Sequence, residues 1–291
     1  MLFAIFNRME FKTSKSSSNI GVVITDIDLS EPLNNDVINE IHNLWVNNCV
    51  AIFPNQKLDH NAYADFAKQF GSFGSEPYIG TMKSQPHIVE LRRKANETSS
   101  PFGGTWHSDW SFQESPPSAT MLHSKIVPPV GGDTLFANTA LAYDELSLEL
   151  KEKVNDLNAF HSAKLPYAKD GFYALESEKR TLKIKPSNKA NEAYLHPLVR
   201  VHKDTKRKSL FVNPVYTIGV EGMSEVDAFN LLSELFEHML QDKYIYRHSW
   251  KPNMLIMWDN RSVMHMAEGG YDGHERLMHR ITLAGETPLK I

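Results

Sequence analysis

Trp106-His107-Ser108-Asp109-Trp110 places an imidazole and a carboxylate two residues apart. In an extended segment, residues i and i+2 point to the same side. His107 and Asp109 are then expected to face one metal ion while Trp106, Ser108 and Trp110 face away. An imidazole and a carboxylate so spaced supply two ligands of a 2-His-1-carboxylate facial triad, which leaves open coordination positions for substrate and oxygen. Taken alone the pair says little, because a chain with 13 histidines meets His-x-Asp easily by chance. The third ligand has to come from a remote strand, and a closed sheet fold is what brings remote strands together.

His265 is the best candidate for that ligand. It follows an expected strand, Met254 to Trp258, and the segment Trp258-Asp-Asn-Arg. Eleven residues later comes Arg276, then Arg280. Four apart on an expected strand, the two arginines share a face at a separation of about 13 Å. Two guanidinium groups aimed at one cavity call for anionic ligands, since Arg forms bidentate forks with carboxylates and other oxyanions.

Working outward, Gly21 to Leu29 and Val50 to Phe53 read as strands, and Lys12 to Asn19 as a loop or frayed entry. Asp36 to Asn48 carries apolar residues at helical spacing, and Asp59 is placed to cap a helix ending near Gly71. Further helices are expected from Ala140 to Leu157 and from Ser224 to Leu240, the latter with Phe229, Leu232, Leu235, Phe236 and Met239 on one face. Leu210 to Asn213 and Leu277 to Leu283 read as strands. Strands outnumber helices in the second half, so the pattern predicts a mostly β, α+β fold with a sandwich or jelly-roll core and helices packed outside. Residues 1–20 are taken as an N-terminal extension and 21–291 as a single domain.

The 291 residues are 41% apolar and 23% charged, with a formal net charge of −4 and no block of one sign. That argues against nucleic acid and anionic membrane as partners. No window reaches the ~18 apolar residues needed to span a bilayer. One cysteine, Cys49, cannot form an intrachain disulfide and reads as a small buried hydrophobe; the expected compartment is the cytoplasm. His123, His161, His196, His202, His248 and His279 are expected to be structural or surface residues, His161 also being placed to border the pocket. Arg92 and Arg93 are read as a solvated face.

Four separated motifs carry a resemblance: Trp106-His-Ser-Asp, Gly131-Gly-Asp-Thr-Leu-Phe-Ala, Trp258-Asp-Asn-Arg-Ser-Val-Met-His and Arg276-Leu-Met-His-Arg-Ile-Thr. Together they resemble the taurine dioxygenase (TauD/TfdA) family over nearly the whole chain, from Gly21 to Pro288. The resemblance implies an Fe(II)- and 2-oxoglutarate-dependent dioxygenase with a double-stranded β-helix (jelly-roll, cupin-like) core. It implies iron ligands at His107, Asp109 and His265, and a 2-oxoglutarate clamp at Arg276 assisted by Thr134. It also implies a substrate anion site at Arg280, with succinate and CO2 as co-products. Asp109 argues against the halogenase variant, which needs that coordination position open. Dimers or tetramers are common among such enzymes, so a homo-oligomer is expected.

The substrate residues depart from the taurine pattern. Gly103, after Phe102, stands where an Asn four residues before the first iron histidine binds the amine. Glu76, before Pro77, stands where a histidine contacts the sulfonate. A carboxylate facing a sulfonate is repulsive. The expected substrate is therefore another small organic acid, of sulfonate, sulfate ester or carboxylate type, oxidised with O2. Glu76 is expected to contact a cationic or hydroxyl group or to face solvent. Two other classes fit less of the sequence. A regulatory hydroxylase of a macromolecule would need a binding platform that is not visible. A non-catalytic cupin-like metal-binding protein leaves Thr134 and Arg276 unexplained.

Overall fold

The computed structural model describes residues 11–16 and 18–290. Its largest sheet has seven strands, in the spatial order Lys12–Lys15, Val22–Thr25, Val50–Phe53, Leu255–Asp259, Ala119–Ile126, Arg276–Leu283 and Val89–Arg93. Neighbours are antiparallel except Val22–Thr25 against Val50–Phe53, which run parallel. A three-stranded sheet of Ile245–His248, Thr134–Asn138 and Val263–Ala267 packs against it. Side chains alternate across a strand, so each sheet offers two faces. Ile52, Leu122, Ile256 and Met278 of the large sheet meet Phe136, Tyr246 and Val263 of the small one.

The outer faces are covered by helices. Phe53, Met121, Met257 and Ile281 are buried under the Asn35–Asn48 and His60–Lys68 helices. Ala137 and Met264 lie under the Thr139–Asp144 and Glu225–Met239 helices. Covered on both faces, Leu255–Asp259 and Arg276–Leu283 are buried at every position, which is why they read as continuous runs rather than alternating ones. Capping sets the helix starts. The side chains of Asn34, Asp59 and Ser224 accept from the backbone N–H of Val37, Ala62 and Asp227, satisfying donors that the first turn leaves free.

Several elements differ from expectation. Lys12–Lys15, read as loop, is a strand at the edge of the large sheet with all four residues exposed; its two lysines suit an edge that must not recruit further strands. The next strand is only Val22–Thr25, because Asp26 turns to φ +61°. The helix expected over 140–157 is two, Thr139–Asp144 and Leu148–Val154. Ser147 accepts from Leu150 N and starts a second helix where the first one ends. Phe229 is exposed, and the buried stripe of its helix is Ala228, Leu231, Leu232, Leu235 and Met239. The strand near residue 210 is Lys208–Leu210. Cys49 is buried as expected, and burial pushes its thiol up to about 12.

Candidate metal centre

His107 and His265 are backbone partners. His107 N donates to His265 O at 3.0 Å and His265 N to His107 O at 2.8 Å, an isolated antiparallel bridge. Opposed residues project to one side, so the two rings lie together with centroids 4.2 Å apart. Asp109 completes the group: Oδ1 is 3.6 Å from His107 Nε2 and Oδ2 is 3.8 Å from His265 Nε2. One ligand atom from each residue lies within 4.8 Å of the others, and all three residues are buried. His107 Nδ1 sits 2.7 Å from Thr105 O, which makes it the N–H nitrogen and turns the Nε2 lone pair inward.

The carboxylate is held from behind. Thr120 Oγ1 donates to Asp109 Oδ2 at 2.7 Å, Asn260 Nδ2 donates to Thr120 Oγ1, and Trp258 Nε1 donates to Asn260 Oδ1. This chain leaves Oδ1 free for a metal. Ser108 faces away as expected, donating to Val263 O. Trp110 does not. Its φ of +45° breaks the extended alternation and brings its ring to 5.0 Å from the Arg280 guanidinium.

Burial alone would raise the Asp109 carboxyl, but His265, His107 and Arg280 beside it hold it well below the usual carboxylate range. Burial, with His107 as neighbour, pushes His265 down to about 3. Two imidazoles and one carboxylate, converging at distances beyond hydrogen-bond reach, are a donor set that fits Fe(II).

A cavity of about 420 Å³ runs from His107 and His265 to Thr134, Arg276 and Arg280. Trp250 Nε1 donates to Thr134 Oγ1 at 3.0 Å, which leaves the Thr134 hydroxyl free to donate elsewhere. Arg276 is buried with Nε unpartnered, its Nη2 reaches only Gly132 O at 3.4 Å, and among the described residues no carboxylate pairs with it. Burial pushes this guanidinium below its ordinary range. Gly103, His107, Thr134, His265, Arg276 and Arg280 thus line one cavity, while Asp109 and Glu76 lie outside its lining.

A second cavity of about 290 Å³ touches His107 and Asp109 from the other side, walled by Phe102, Trp110, Tyr167, Phe172, Tyr173 and Tyr216. Gly103 lies between the two cavities, at φ +74°, where a Cβ would come within 3.2 Å of His107 Cε1. Its N–H donates to the Tyr173 hydroxyl. Glu76 does not face solvent. Its side chain is buried, 2.5 Å from Arg280 Nη2, and accepts from Thr282 Oγ1 at 3.1 Å. Arg280 Nη1 also lies 3.7 Å from Asp109 Oδ1.

His161 is core: it bonds Ser111 Oγ and stacks on Phe211. Arg92 pairs with Glu90 and Glu275 at the surface, but Arg93 is buried, which corrects the solvated-face reading. Thr120 and the aromatic wall escaped sequence reasoning. A Thr on a buried strand and scattered Tyr residues carry no local signal.

The model of the taurine catabolism dioxygenase TauD, TfdA family matches residues 12–282. The chain belongs to this family. It is 34% identical over 261 residues to the alpha-ketoglutarate-dependent 2,4-dichlorophenoxyacetate dioxygenase of Cupriavidus pinatubonensis, covering 83% of this chain and 86% of that one. It is 31% identical over 280 residues to the alkylsulfatase of Acinetobacter baylyi, covering 95% and 86%. The crystal structure of a taurine dioxygenase from Burkholderia xenovorans superposes with a TM-score of 0.80 at 27% identity, over 96% of this chain and 91% of that one. As a member of the TauD/TfdA family, the chain is an Fe(II)- and 2-oxoglutarate-dependent dioxygenase with a mixed helix and sheet fold. Among the described residues, no helix is long and apolar enough to cross a membrane.

Proposed function

We propose that this enzyme uses O2 to hydroxylate a C–H bond of a small organic acid, of sulfonate, sulfate ester or carboxylate type, one oxygen atom entering that product and the other the succinate formed, with CO2, from 2-oxoglutarate. The observation that carries the reading is one cavity joining His107 and His265 of the three-residue donor set to the guanidinium of Arg276, which no carboxylate pairs among the described residues. His107, Asp109 and His265 would hold the iron. Arg276 receives the distal carboxylate of 2-oxoglutarate, with the Thr134 hydroxyl donating beside it. The bound iron and 2-oxo acid supply oxygen activation. The protein supplies orientation and a dry cavity. In this reading the two facing sheets are the halves of a double-stranded β-helix.

Arg280 holds the anionic end of the substrate, and the aromatic wall around Tyr167, Tyr173 and Tyr216 receives its body. Glu76 sets the terms of that contact, because an incoming anion must share or displace it. A substrate panel read by succinate release tests the assignment. Turnover of organic acids that falls sharply in Arg280→Ala supports it; strong turnover of neutral compounds, indifferent to that substitution, overturns it. A second reading is favoured by the Glu76–Arg280 pair itself. With Arg280 already neutralised, the aromatic faces suit a substrate carrying a positive group as well. The same panel, extended to zwitterions, decides between them.

A further inference from the structure

Arg93 stands directly opposite Arg276 where Val89–Arg93 pairs with Arg276–Leu283. Register partners on antiparallel strands project to the same side of the sheet, and like charges so placed destabilise the pairing. Leu91 and Met278, two residues along on each strand, fall on this same face and pack between the sheets. The two guanidinium groups therefore leave the sheet together, inward. Each arginine is 8% exposed.

Neither is saturated by the protein. Arg276 Nε is unpartnered, and so are Arg93 Nε and Nη1. Only Arg93 Nη2 is used, by Asp272 at 2.8 Å and Ser99 O at 3.3 Å. The Asp272 side chain is 87% exposed, so water screens most of what it offers. Both arginines line a cavity of about 380 Å³ that shares Arg276, Leu91 and Phe102 with the cavity beside the histidines. Glu97, the carboxylate lining that space, is already engaged by Ser99 Oγ and Thr181 N. Arg180, also on this wall, is matched by Glu176. The Arg93 and Arg276 couple is left with an excess of buried positive charge and unused donors.

We propose that Arg93 is a second binding residue for the distal carboxylate of 2-oxoglutarate, which lies between Arg93 and Arg276 and is gripped from both strands. The proposal rests on the reading that Arg276 receives that carboxylate. A carboxylate accepts up to four hydrogen bonds, more than the two of one arginine fork and the one of the Thr134 hydroxyl. One anion there both satisfies the free Arg93 edge and removes the repulsion across the register pair.

The test is a chemical cycle on Mn(II)-loaded protein without O2, using calorimetric titration with 2-oxoglutarate and with 2-oxopentanoate, which lacks the distal carboxylate. Arg93→Gln is expected to weaken 2-oxoglutarate by roughly 10-fold or more, the scale of a lost charge-assisted hydrogen bond, and to leave 2-oxopentanoate nearly unchanged. Arg93→Lys should recover part of the loss. Arg93 also holds the 271–272 turn, over the Tyr271 ring and against Asp272, and Asp272→Asn isolates that role. If Arg93→Gln weakens both ligands equally, or neither, or if Asp272→Asn reproduces its effect, Arg93 only anchors the turn and the proposal fails. Wild-type protein that binds the two 2-oxo acids equally well would instead refute the Arg276 reading beneath it.

Discussion

Asp109 and Asp259 are both fully buried aspartates with a histidine and an arginine beside them, and the fold uses them in opposite ways. Around Asp259 every valence is closed. His202 Nε2 donates to Oδ2 at 2.8 Å, and Arg261 donates to Oδ1 and Oδ2 from Nε and Nη2 at 2.8 and 2.9 Å. His202 Nδ1 accepts from the N–H groups of Asp204 and Thr205, and Arg261 continues to Asp204 and lies over Trp45. Around Asp109 the two imidazole nitrogens stand at 3.6 and 3.8 Å, beyond hydrogen-bond reach, and open onto a cavity. A saturated cluster holds the fold together. An unsaturated one, kept so by Thr120 and Thr105 bonding from behind, is ready for a metal.

The sharpest way to break this comparison is to remove each aspartate. Asp109→Ala is expected to abolish Mn(II) binding and 2-oxoglutarate turnover at a smaller cost in stability, since its histidine neighbours stand beyond hydrogen-bond reach and Arg280 keeps its pairing with Glu76. Asp259→Ala is expected to cost about 3–5 kcal/mol of stability in urea unfolding, because it strands Arg261 and His202 in the interior. Equal stability losses in the two variants would show that the clusters do not differ in kind.

Smaller effects probe the support behind the metal site. Thr120→Val removes the hydroxyl that fixes Asp109 Oδ2, and is expected to lower Mn(II) affinity by roughly 10- to 100-fold in a still-folded protein. Unchanged affinity would mean that the Trp258, Asn260 and Thr120 chain serves packing alone. Next comes the Glu76 and Arg280 pair, a closed pair inside the open site. Glu76→Gln keeps the shape and frees the guanidinium, so KM for anionic substrates should fall. A rise in that KM, together with weaker turnover of zwitterions, would favour the positively charged substrate instead.

How much of this was legible beforehand follows from what each feature depends on. His107 and Asp109 converge because motif spacing and strand alternation are local properties, whereas His265 and Arg276 join His107 around one cavity only through the pairing of remote strands. The Asp59 cap was readable because a capping side chain just before an apolar-periodic run is also a local signal. Glu76 was singled out, but its partner depends on a loop crossing to the Arg276–Leu283 strand, a contact 204 residues apart. The Arg93 partnership is a matter of strand register, which no single strand encodes. Trp110 was misplaced because alternation fails at a residue with positive φ. The Ala140 to Leu157 pattern concealed a second cap at Ser147, since apolar spacing alone does not show where backbone bonds stop.

A third buried cluster supplies the mildest test, because it is a histidine pair with no carboxylate bonded to it. His161 and His196 lie 5.3 Å apart, edge to face. Burial, and for His161 the neighbouring His196, depress them to about 3 and about 4. Their unfolded values are near 6.5, so both are neutral in the fold at neutral pH. Below pH ~6.5 the unfolded chain binds protons that the folded chain refuses, and stability falls with pH until the folded values near 4 and 3 are reached. One such histidine accounts for at most about 1.4 kcal/mol per pH unit. Urea unfolding of His161→Asn at pH 7, 6 and 5 should therefore show a shallower loss than wild type by up to that amount. Parallel slopes for His161→Asn and wild type would mean that the acid sensitivity of this fold lies elsewhere.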